Sequence, residues 1–250
     1  MNHGWDYTGL AAAYDLRPDY HAGLVARTLK AFGLVEPSLI LDVGAGTGKL
    51  TSLLCRQYGR VIACEPNDAM RARGRRNADC STATWIAADG ERLPLQDASA
   101  DMVSYGSSFN VLDAQRALRE SARVLRPQGI WLALWNHRDL DDPLQREIEV
   151  IVHRHVEQFD YGTRRRDPSD AVAASRTFEP VTHVCAGFHA DMPMTDWLQA
   201  WQSHATLRRQ AGASFARILQ DIAALVRGQA RIRVPYHTRL WWARLRATRG

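Results

Sequence analysis

Three segments that could hold a nucleotide-like ligand stand where short apolar runs end. The first is segment 42–48, which reads Asp-Val-Gly-Ala-Gly-Thr-Gly. Its glycines allow a tight turn and a close approach of a ligand to the backbone, and the next helix begins with free N–H groups beside it. The second is Glu65, whose carboxylate can accept hydrogen bonds from two ribose hydroxyls. The third is Asp89-Gly90, where a carboxylate can accept a hydrogen bond from an adenine amino group.

The spacing of the glycines separates several classes of site. A dinucleotide-binding turn needs G-x-G-x-x-G, whereas this chain has G-x-G-x-G with Asp42 two residues before the first glycine. A phosphate-binding P-loop places Ser or Thr after its lysine, but Leu50 follows Lys49 here. The ordered set of glycine turn, ribose acid and adenine acid is more specific than any one of its parts.

These segments follow elements that alternate between strand and helix patterns. Strands are predicted at 39–43, 60–64, 83–88, 101–105 and 130–135, with two more within 181–189 and 230–242. Helices are predicted at 23–32, 49–58, 68–76, 113–125, 143–159, 194–209 and 214–226. Such alternation predicts βαβ units, a mostly parallel sheet and helices on both of its faces. In such sheets, ligands bind at the carboxyl ends of the strands.

The composition is that of a chain that can form one globular domain with an elaboration. It has 250 residues, of which 46% are hydrophobic and 24% charged. No apolar run reaches the roughly 18 residues of a membrane span, and the first fifteen residues lack a signal-peptide pattern, so a cytoplasmic location is expected. The net charge of +5 comes from short, scattered arginine runs, which argues against a nucleic-acid surface. No metal site is expected, because no C-x-x-C pair occurs among Cys55, Cys64, Cys80 and Cys185.

The sequence resembles class I S-adenosylmethionine-dependent methyltransferases, and within them the small-molecule branch of trans-aconitate methyltransferase-like, type 11 proteins. The resemblance runs from about Tyr14 to Arg138, with an echo at 234–239. The segments that carry it are 14–18, 41–50, 65–66, 91–94, 123–129 and 134–136.

The resemblance implies S-adenosylmethionine as the cofactor. Glu65 would hold the ribose, Asp89 and Gly90 would contact the adenine edge, and the glycine turn would pass along the methionine part. The residues implied as cofactor-binding are Arg17, Asp42, Gly44, Ala45, Gly46, Thr47, Glu65, Pro66, Asn67, Met70, Ala88, Asp89, Gly90 and Ser107.

The loop after the fourth strand departs from the family pattern. Relatives commonly read close to A-F-H-W-F-D, whereas this chain reads Ser-Phe-Asn-Val-Leu-Asp over 108–113. Asn110 replaces the histidine, and an amide cannot act as a base as an imidazole can. We expect Asn110 to orient a substrate by hydrogen bonding instead. The loop also lacks the two prolines of [DNS]-P-P-[YF], which argues against enzymes that methylate amino groups of nucleic acids.

Tyr14, Asn110 and His137 are the candidate catalytic residues. Tyr14 lies on an N-terminal segment that often folds over the cofactor in the family. His137, at the end of the fifth strand, is either a base or a loop histidine without a catalytic role. Arg17 either pairs with the cofactor carboxylate or lies on the surface. Trp197 and Trp201, four residues apart on a predicted helix, either pack in the core or line a substrate site.

Pattern and resemblance together predict an α/β fold with a Rossmann-like, seven-stranded, mostly parallel sheet, helices on both faces and a helical lid insertion. Residues 1–250 form one methyltransferase domain in this prediction. Its parts are N-terminal cap helices (1–35), a cofactor-binding core (36–140), a lid and substrate region with one core strand (141–229), and a last strand with a tail (230–250). Within the lid, the polar segment 162–175 is predicted to be a mobile connection.

The predicted function is methyl transfer to a small molecule, such as a secondary metabolite, mainly through proximity and orientation. The partners expected are a small-molecule substrate and at most a second copy of the chain, as a monomer or homodimer, without a membrane. One alternative is a protein that binds S-adenosylmethionine without methylating anything. A nucleic-acid methyltransferase is a further alternative, which would show steep salt dependence of binding.

Overall fold

Seven apolar runs form a single sheet in residues 8–247, the part of the chain that this computed structural model describes. The strands are β1 (Leu39–Val43), β2 (Arg60–Cys64), β3 (Thr84–Ile86), β4 (Ala100–Gly106), β5 (Leu125–Arg138), β6 (Thr182–Pro193) and β7 (Arg231–Arg244). Their order across the sheet is β3-β2-β1-β4-β5-β7-β6. Strands β1 to β5 pair in parallel, and β7 runs antiparallel to both β5 and β6. The predicted seven-stranded, mostly parallel sheet is confirmed.

Helices cover both faces of the sheet. They are α1 (Ala11–Asp15), α2 (Ala22–Ala31), α3 (Lys49–Cys55), α4 (Asp68–Arg76), α5 (Ala114–Val124), α6 (Pro143–His155), α7 (Ser169–Ser175), α8 (Met194–Trp201), α9 (Ala205–Ala211) and α10 (Phe215–Leu225). Ile40 and Leu41 are both completely buried, although successive strand residues point to opposite faces. Ile40 packs with Leu29 of α2, and Leu41 packs with Leu118 of α5, in two separate apolar clusters.

A third apolar cluster lies outside these two layers, in the lid helices, which we define as α6, α8, α9 and α10. Its members include Ile148, Ile218 and Ile222, each with no exposed surface. Ile232 and Val234, at the start of β7, belong to the same cluster and join the lid helices to the sheet. The lid helices therefore have a core of their own.

The prediction of a mobile connection at 162–175 is wrong. Residues Gly162–Arg165 form a 3₁₀ turn, and Ser169–Ser175 form α7. Val172 of α7 is completely buried in the cluster beneath the sheet, and Gln115 of α5 donates a hydrogen bond of 3.0 Å to the carbonyl of Ala171. One buried apolar residue in a polar segment thus fixes it to the sheet layer.

Other predicted boundaries also changed. The helix predicted at 194–209 is two helices, because the chain turns at Ser203 and α9 begins at a new N-cap, His204, whose side chain accepts from the Leu207 N–H. Strand β5 continues to Arg138 because β7 pairs with it up to Tyr236. The predicted N-terminal and C-terminal parts include 1–7 and 248–250, which lie outside the described residues.

Candidate active site at the carboxyl ends of the strands

The glycine turn after β1 is held in a conformation that side chains disfavour. Gly44, Gly46 and Gly48 have φ values of +68°, +60° and +92°. The N–H of Gly44 donates to the Cys64 carbonyl over 2.8 Å, which ties the turn to the end of β2. A Cβ atom at Gly44 would overlap the side chain of Ser108, which itself donates to the Val43 carbonyl. Position 44 therefore requires glycine for its conformation and for its close packing.

Asp42 lies beneath this turn and is completely buried. Its Oδ2 accepts a hydrogen bond of 2.6 Å from Thr51 Oγ1, while its Oδ1 has no partner among the described residues. Burial raises the pKa of the Asp42 carboxyl to about 7. The nearby charge of Glu65 acts in the same direction, whereas the hydrogen bond from Thr51 lowers the pKa. Thr47 Oγ1 is also buried without a partner. These two oxygens can receive hydrogen bonds from a ligand, directly or through water.

Glu65 connects the ends of β1 and β2. Its carboxylate is 7% exposed, with Oε2 accepting from the Gly46 N–H at 2.8 Å and Oε1 from the Asn67 N–H at 2.8 Å. Burial raises the pKa of Glu65, and these two hydrogen bonds act in the opposite direction. An ionised carboxylate offers about four acceptor positions, so two remain for a pair of vicinal hydroxyls.

The residues after Glu65 begin α4. Pro66 is exposed, and Asn67 caps the helix by accepting from the Met70 N–H at 3.0 Å. Met70 is 3% exposed, and its Cε lies 3.4 Å from the position that a Cβ at Gly46 would take. A ring of Tyr14 lies 3.9 Å from the same position. Met70 and Tyr14 thus flank the middle of the glycine turn.

The turn after β3 packs against the end of β1. Ala88 is buried, and Asp89 Oδ1 accepts from the Glu91 N–H at 3.0 Å. A Cβ at Gly90 would come within 2.7 Å of Val43 and 2.8 Å of Leu112. The structure therefore brings all three chemistry-bearing segments to one edge of the sheet.

The loop after β4 closes the other side of this edge. Ser107 has a φ of +58°, donates its N–H to the Leu134 carbonyl at 2.8 Å, and shares a hydrogen bond of 2.9 Å with the Tyr20 hydroxyl. Asn110 follows on a 3₁₀ turn, and its Oδ1 is buried with no hydrogen-bond partner among the residues that the structure describes. The Asn110 carbonyl accepts from Thr163 Oγ1 at 2.7 Å, which joins this loop to the turn at Gly162–Arg165.

A cavity of about 170 Å³ adjoins Ser107 and Asn110. The three candidate catalytic residues, Tyr14, Asn110 and His137, all line it, as does Arg17. His137 is 9% exposed and belongs to β5, where it pairs with His237, so it is not on a loop. The remaining lining residues are Pro18, Tyr20, Lys49, Ser107, Trp135, Asn136, Arg138, Tyr161, Arg165, Met192, Trp197, Ala200, Trp201, His204 and Tyr236.

The N-terminal segment joins the sheet side of this cavity to the lid helices. Arg17 lies over the ring of Tyr14, 4.4 Å from its centroid. Its Nε donates to Ser203 Oγ at 2.8 Å, and its terminal nitrogen donates to the Ser203 carbonyl between α8 and α9. In this structure, therefore, Arg17 holds the N-terminal segment against the lid helices.

Sequence reasoning missed most of the lid side of the cavity. Arg165 belongs to a short arginine run that sequence reasoning interprets as surface charge, whereas Arg138, Tyr161 and His204 carry no motif. For Trp197 and Trp201, core packing and cavity lining are both observed. The two side chains are buried in the lid cluster and also line the cavity. The i, i+4 spacing of these tryptophans was the one usable signal.

Membrane-spanning helices and metal-binding clusters are both absent from the described residues. No helix within 8–247 has both the length and the apolar composition needed to cross a bilayer. Within the same residues, no group of three or more histidine, cysteine, aspartate or glutamate side chains could hold a metal ion.

Residues 41–133 match the family described as methyltransferase domain. A sequence relative in Schizosaccharomyces pombe, named an uncharacterized methyltransferase, is 34% identical over 152 residues, which are 59% of this chain and 58% of the relative. The ubiquinone/menaquinone biosynthesis C-methyltransferase UbiE of Vibrio campbellii is 33% identical over 157 residues, 58% of this chain and 61% of the relative. The chain thus spans about three fifths of the length of these relatives.

Solved structures show the same fold. The YcgJ protein of Bacillus subtilis superposes with a TM-score of 0.58 at 15% identity, covering 91% of this chain and 100% of that one. Geranyl diphosphate C-methyltransferase of Streptomyces coelicolor, solved with Mg²⁺, geranyl diphosphate and S-adenosyl-L-homocysteine, has a TM-score of 0.50 at 16% identity, covering 90% and 79%. The sheet therefore has the Rossmann-like fold of methyltransferase structures, and residues 41–133 of it match the methyltransferase domain family.

Proposed function

We propose that this protein transfers a methyl group from S-adenosylmethionine to a small molecule. The observation that carries the proposal is the position of Glu65. Its buried carboxylate is fixed 2.8 Å from the backbone nitrogens of both Gly46 and Asn67, with acceptor capacity left for two ribose hydroxyls. The cavity with Asn110 and His137 lies at the carboxyl ends of β4 and β5, in the same edge of the sheet.

The surrounding residues fit the other parts of the cofactor. We assign the adenine to the space bordered by Pro66, Asn67 and Met70, with Ala88, Asp89 and Gly90 at its edge. The methionine part would cross Gly44, Ala45 and Gly46, where side chains are excluded and Met70 and Tyr14 flank the turn. The buried oxygens Asp42 Oδ1 and Thr47 Oγ1, which have no hydrogen-bond partner among residues 8–247, would serve its ammonium group through hydrogen bonds.

Ser107 stands between the cofactor side and the cavity, since its loop packs on Gly44 and its hydroxyl bonds to Tyr20, another lining residue. Arg17 is assigned to closing the site rather than to the cofactor carboxylate, because its guanidinium is bound to Ser203.

The cofactor, when bound, supplies a methyl group already activated by the positive sulfur. The chain then has to place the acceptor in line with that methyl and exclude water. Asn110 orients the acceptor through its buried Oδ1, which has no hydrogen-bond partner in the described part of the chain. His137, buried at the cavity wall, is placed to take a proton from an acceptor that needs one removed. Tyr14 forms part of the cover that keeps water from the reacting atoms.

A small molecule is the acceptor class that fits the site. The lid helices and the N-terminal segment enclose the cavity, whose volume is about 170 Å³. UbiE and the geranyl diphosphate enzyme, by their names, act on small molecules, which supports the same assignment. The narrower resemblance to trans-aconitate methyltransferase-like proteins stays a prediction, because its motifs lie mostly outside the cavity.

Isothermal titration with S-adenosylhomocysteine tests the cofactor assignment. Glu65→Gln removes the charge and one acceptor, and hydrogen bonds to a charged group contribute about 1.5–3 kcal/mol, so we expect Kd to rise roughly 10- to 100-fold. The matched control is Glu157→Gln, an exposed glutamate two residues beyond the end of the lid helix α6. An absence of binding to the wild type, or equal affinity of the two variants, would overturn the assignment.

A further inference from the structure

Two arginines on the lid side of the cavity are held by neutral groups. Arg138 is the last residue of β5, and Arg165 ends the 3₁₀ turn at Gly162–Arg165. Arg138 donates to Gln145 Oε1 at 3.0 Å, and Arg165 donates to the Arg138 carbonyl at 2.7 Å. Their guanidinium groups lie over the rings of Trp201, at 4.1 Å, and Tyr161, at 4.7 Å.

Neither arginine forms an ion pair with a carboxylate of the described residues. Glu149, the acid beside them, instead accepts from the Tyr161 hydroxyl at 2.5 Å. Arg123, by contrast, pairs with both Asp97 and Glu120. Cations taken out of water are normally paired with an anion, so Arg138 and Arg165 lack the direct carboxylate contact that Arg123 has.

The electrostatics of the wall agree with this geometry. Burial lowers the pKa of Arg165, and the like charge of Arg138 acts in the same direction, whereas Tyr161 and Glu149 act against it. The remaining charged residues that line the cavity are Arg17 and Lys49, and Lys49 already pairs with Asp19 at 2.7 Å. No aspartate or glutamate among the described residues lines the cavity. An anion entering it would therefore meet attraction from several sides.

The same wall is tied to the loop that bears Asn110. Thr163, two residues before Arg165, donates to the Asn110 carbonyl at 2.7 Å. The arginine pair and the Asn110 side chain are thus fixed relative to one another. A molecule between them can be anchored at one end by charge and oriented at the other by the buried Oδ1 of Asn110.

We infer that the methyl acceptor carries an anionic oxygen group, a carboxylate or a phosphate, which Arg138 and Arg165 bind from the lid side of the cavity. This inference rests on the proposed function and names the substrate class of that site. Guanidinium groups bind such anions in bidentate geometry, and a partly buried site strengthens the interaction. The rings of Trp201 and Tyr161 lie against the guanidinium groups of Arg138 and Arg165. The aromatic lining of the cavity suits a flat or apolar body on the acceptor.

The test is isothermal titration of small probes into protein saturated with S-adenosylhomocysteine. The charged probes are benzoate and phenyl phosphate, which distinguish a carboxylate site from a phosphate site. The neutral probes of similar shape are benzamide and benzyl alcohol. The variants are Arg165→Gln and Arg138→Gln, with Arg165→Lys to restore the charge. Arg166→Gln is the matched control, since Arg166 is the next residue, is exposed and does not line the cavity.

We expect at least one charged probe to bind more tightly than its neutral counterpart, and Arg165→Gln to weaken it by about tenfold or more. Arg165→Lys should recover part of the affinity, and Arg166→Gln should leave it unchanged. Arg138→Gln should act like Arg165→Gln, and circular dichroism of each variant confirms that it is folded. The preferred charged probe identifies the anion.

The inference is overturned if neutral probes bind as well as charged ones, or if no charged probe binds below about 10 mM. It is also overturned if Arg166→Gln weakens binding as much as Arg165→Gln. The titration with S-adenosylhomocysteine comes first and separates the two proposals. If S-adenosylhomocysteine binds normally but charged probes are not preferred, only the anion site is rejected. If S-adenosylhomocysteine does not bind, both the proposed function and this inference are rejected.

Discussion

The cofactor region, residues 41–133, and the lid region, residues 143–225, differ in how individual charged side chains at the site are held. In the cofactor region, Glu65 receives two backbone hydrogen bonds, and Arg123 has two carboxylate partners. In the lid region, Arg165 faces a cavity without an ion pair among the described residues. The family match covers 41–133 and leaves out the lid region. A site built from backbone geometry suits one ligand, whereas side chains on helices can be changed for each acceptor.

The largest effect is expected from Gly44→Ala in the cofactor region. The new Cβ would overlap Ser108 at a φ of +68°, so we expect the free energy of unfolding to fall by about 3–5 kcal/mol and cofactor binding to be lost. Urea denaturation and titration with S-adenosylhomocysteine measure these two changes. Gly33→Ala is the control, since Gly33 has a φ of +67° but no atom within 4 Å of its Cβ position. Equal losses of unfolding free energy and of cofactor binding in both variants would contradict the close packing at Gly44.

A smaller effect, confined to the lid region, is expected from Ile218→Ala. Ile218 is completely buried in the lid cluster, so its truncation should lower the free energy of unfolding by about 3 kcal/mol. The affinity for S-adenosylhomocysteine should stay as in the wild type, because none of its assigned contacts lies in that cluster. Val150→Ala, at a site 61% exposed, serves as the control. A tenfold loss of cofactor affinity in Ile218→Ala would show that the two regions are not separable.

The smallest effect is expected at the junction of the two regions. Ser203→Ala removes the acceptor of the 2.8 Å hydrogen bond from Arg17, which should cost about 1 kcal/mol of stability. Amide hydrogen exchange in α1 should become faster, because Arg17 follows that helix. Ser81→Ala, an exposed serine away from the junction, is the comparison. Unchanged exchange in α1 would mean that the Arg17–Ser203 contact does not hold the N-terminal segment in place.

The cofactor region could be predicted closely from the sequence because its signals are local. The boundaries of β1, β2 and α4 agree with the predicted ones, and the glycine turn stands where the spacing placed it. Each glycine turn, acid and apolar run in this region can be recognised within a short window of sequence, although the fold brings the windows together. Tyr14, Asn110 and His137 were also predicted, and they meet at one cavity.

The lid region could not be predicted to the same depth because its order depends on contacts between distant segments. Val172 gives no periodic signal by itself, yet its burial against the sheet turns a polar stretch into α7. The break between α8 and α9 at Ser203 depends on a new cap and on Arg17, which is 186 residues away. Such long-range contacts leave no pattern in a short window of sequence.

The sequence by itself determined the parallel sheet, the glycine turn and the two acids that define the cofactor side, because strand period and turn chemistry are local properties. Only the tertiary structure decided what lines the cavity proposed for the acceptor. The antiparallel pairing of β5 with β7 extends β5 to Arg138, and the turn at Gly162–Arg165 then carries Arg165 to the same wall. Two arginines that are 27 residues apart in the chain become neighbours, without an ion pair in the described residues, only when the fold partly buries them together.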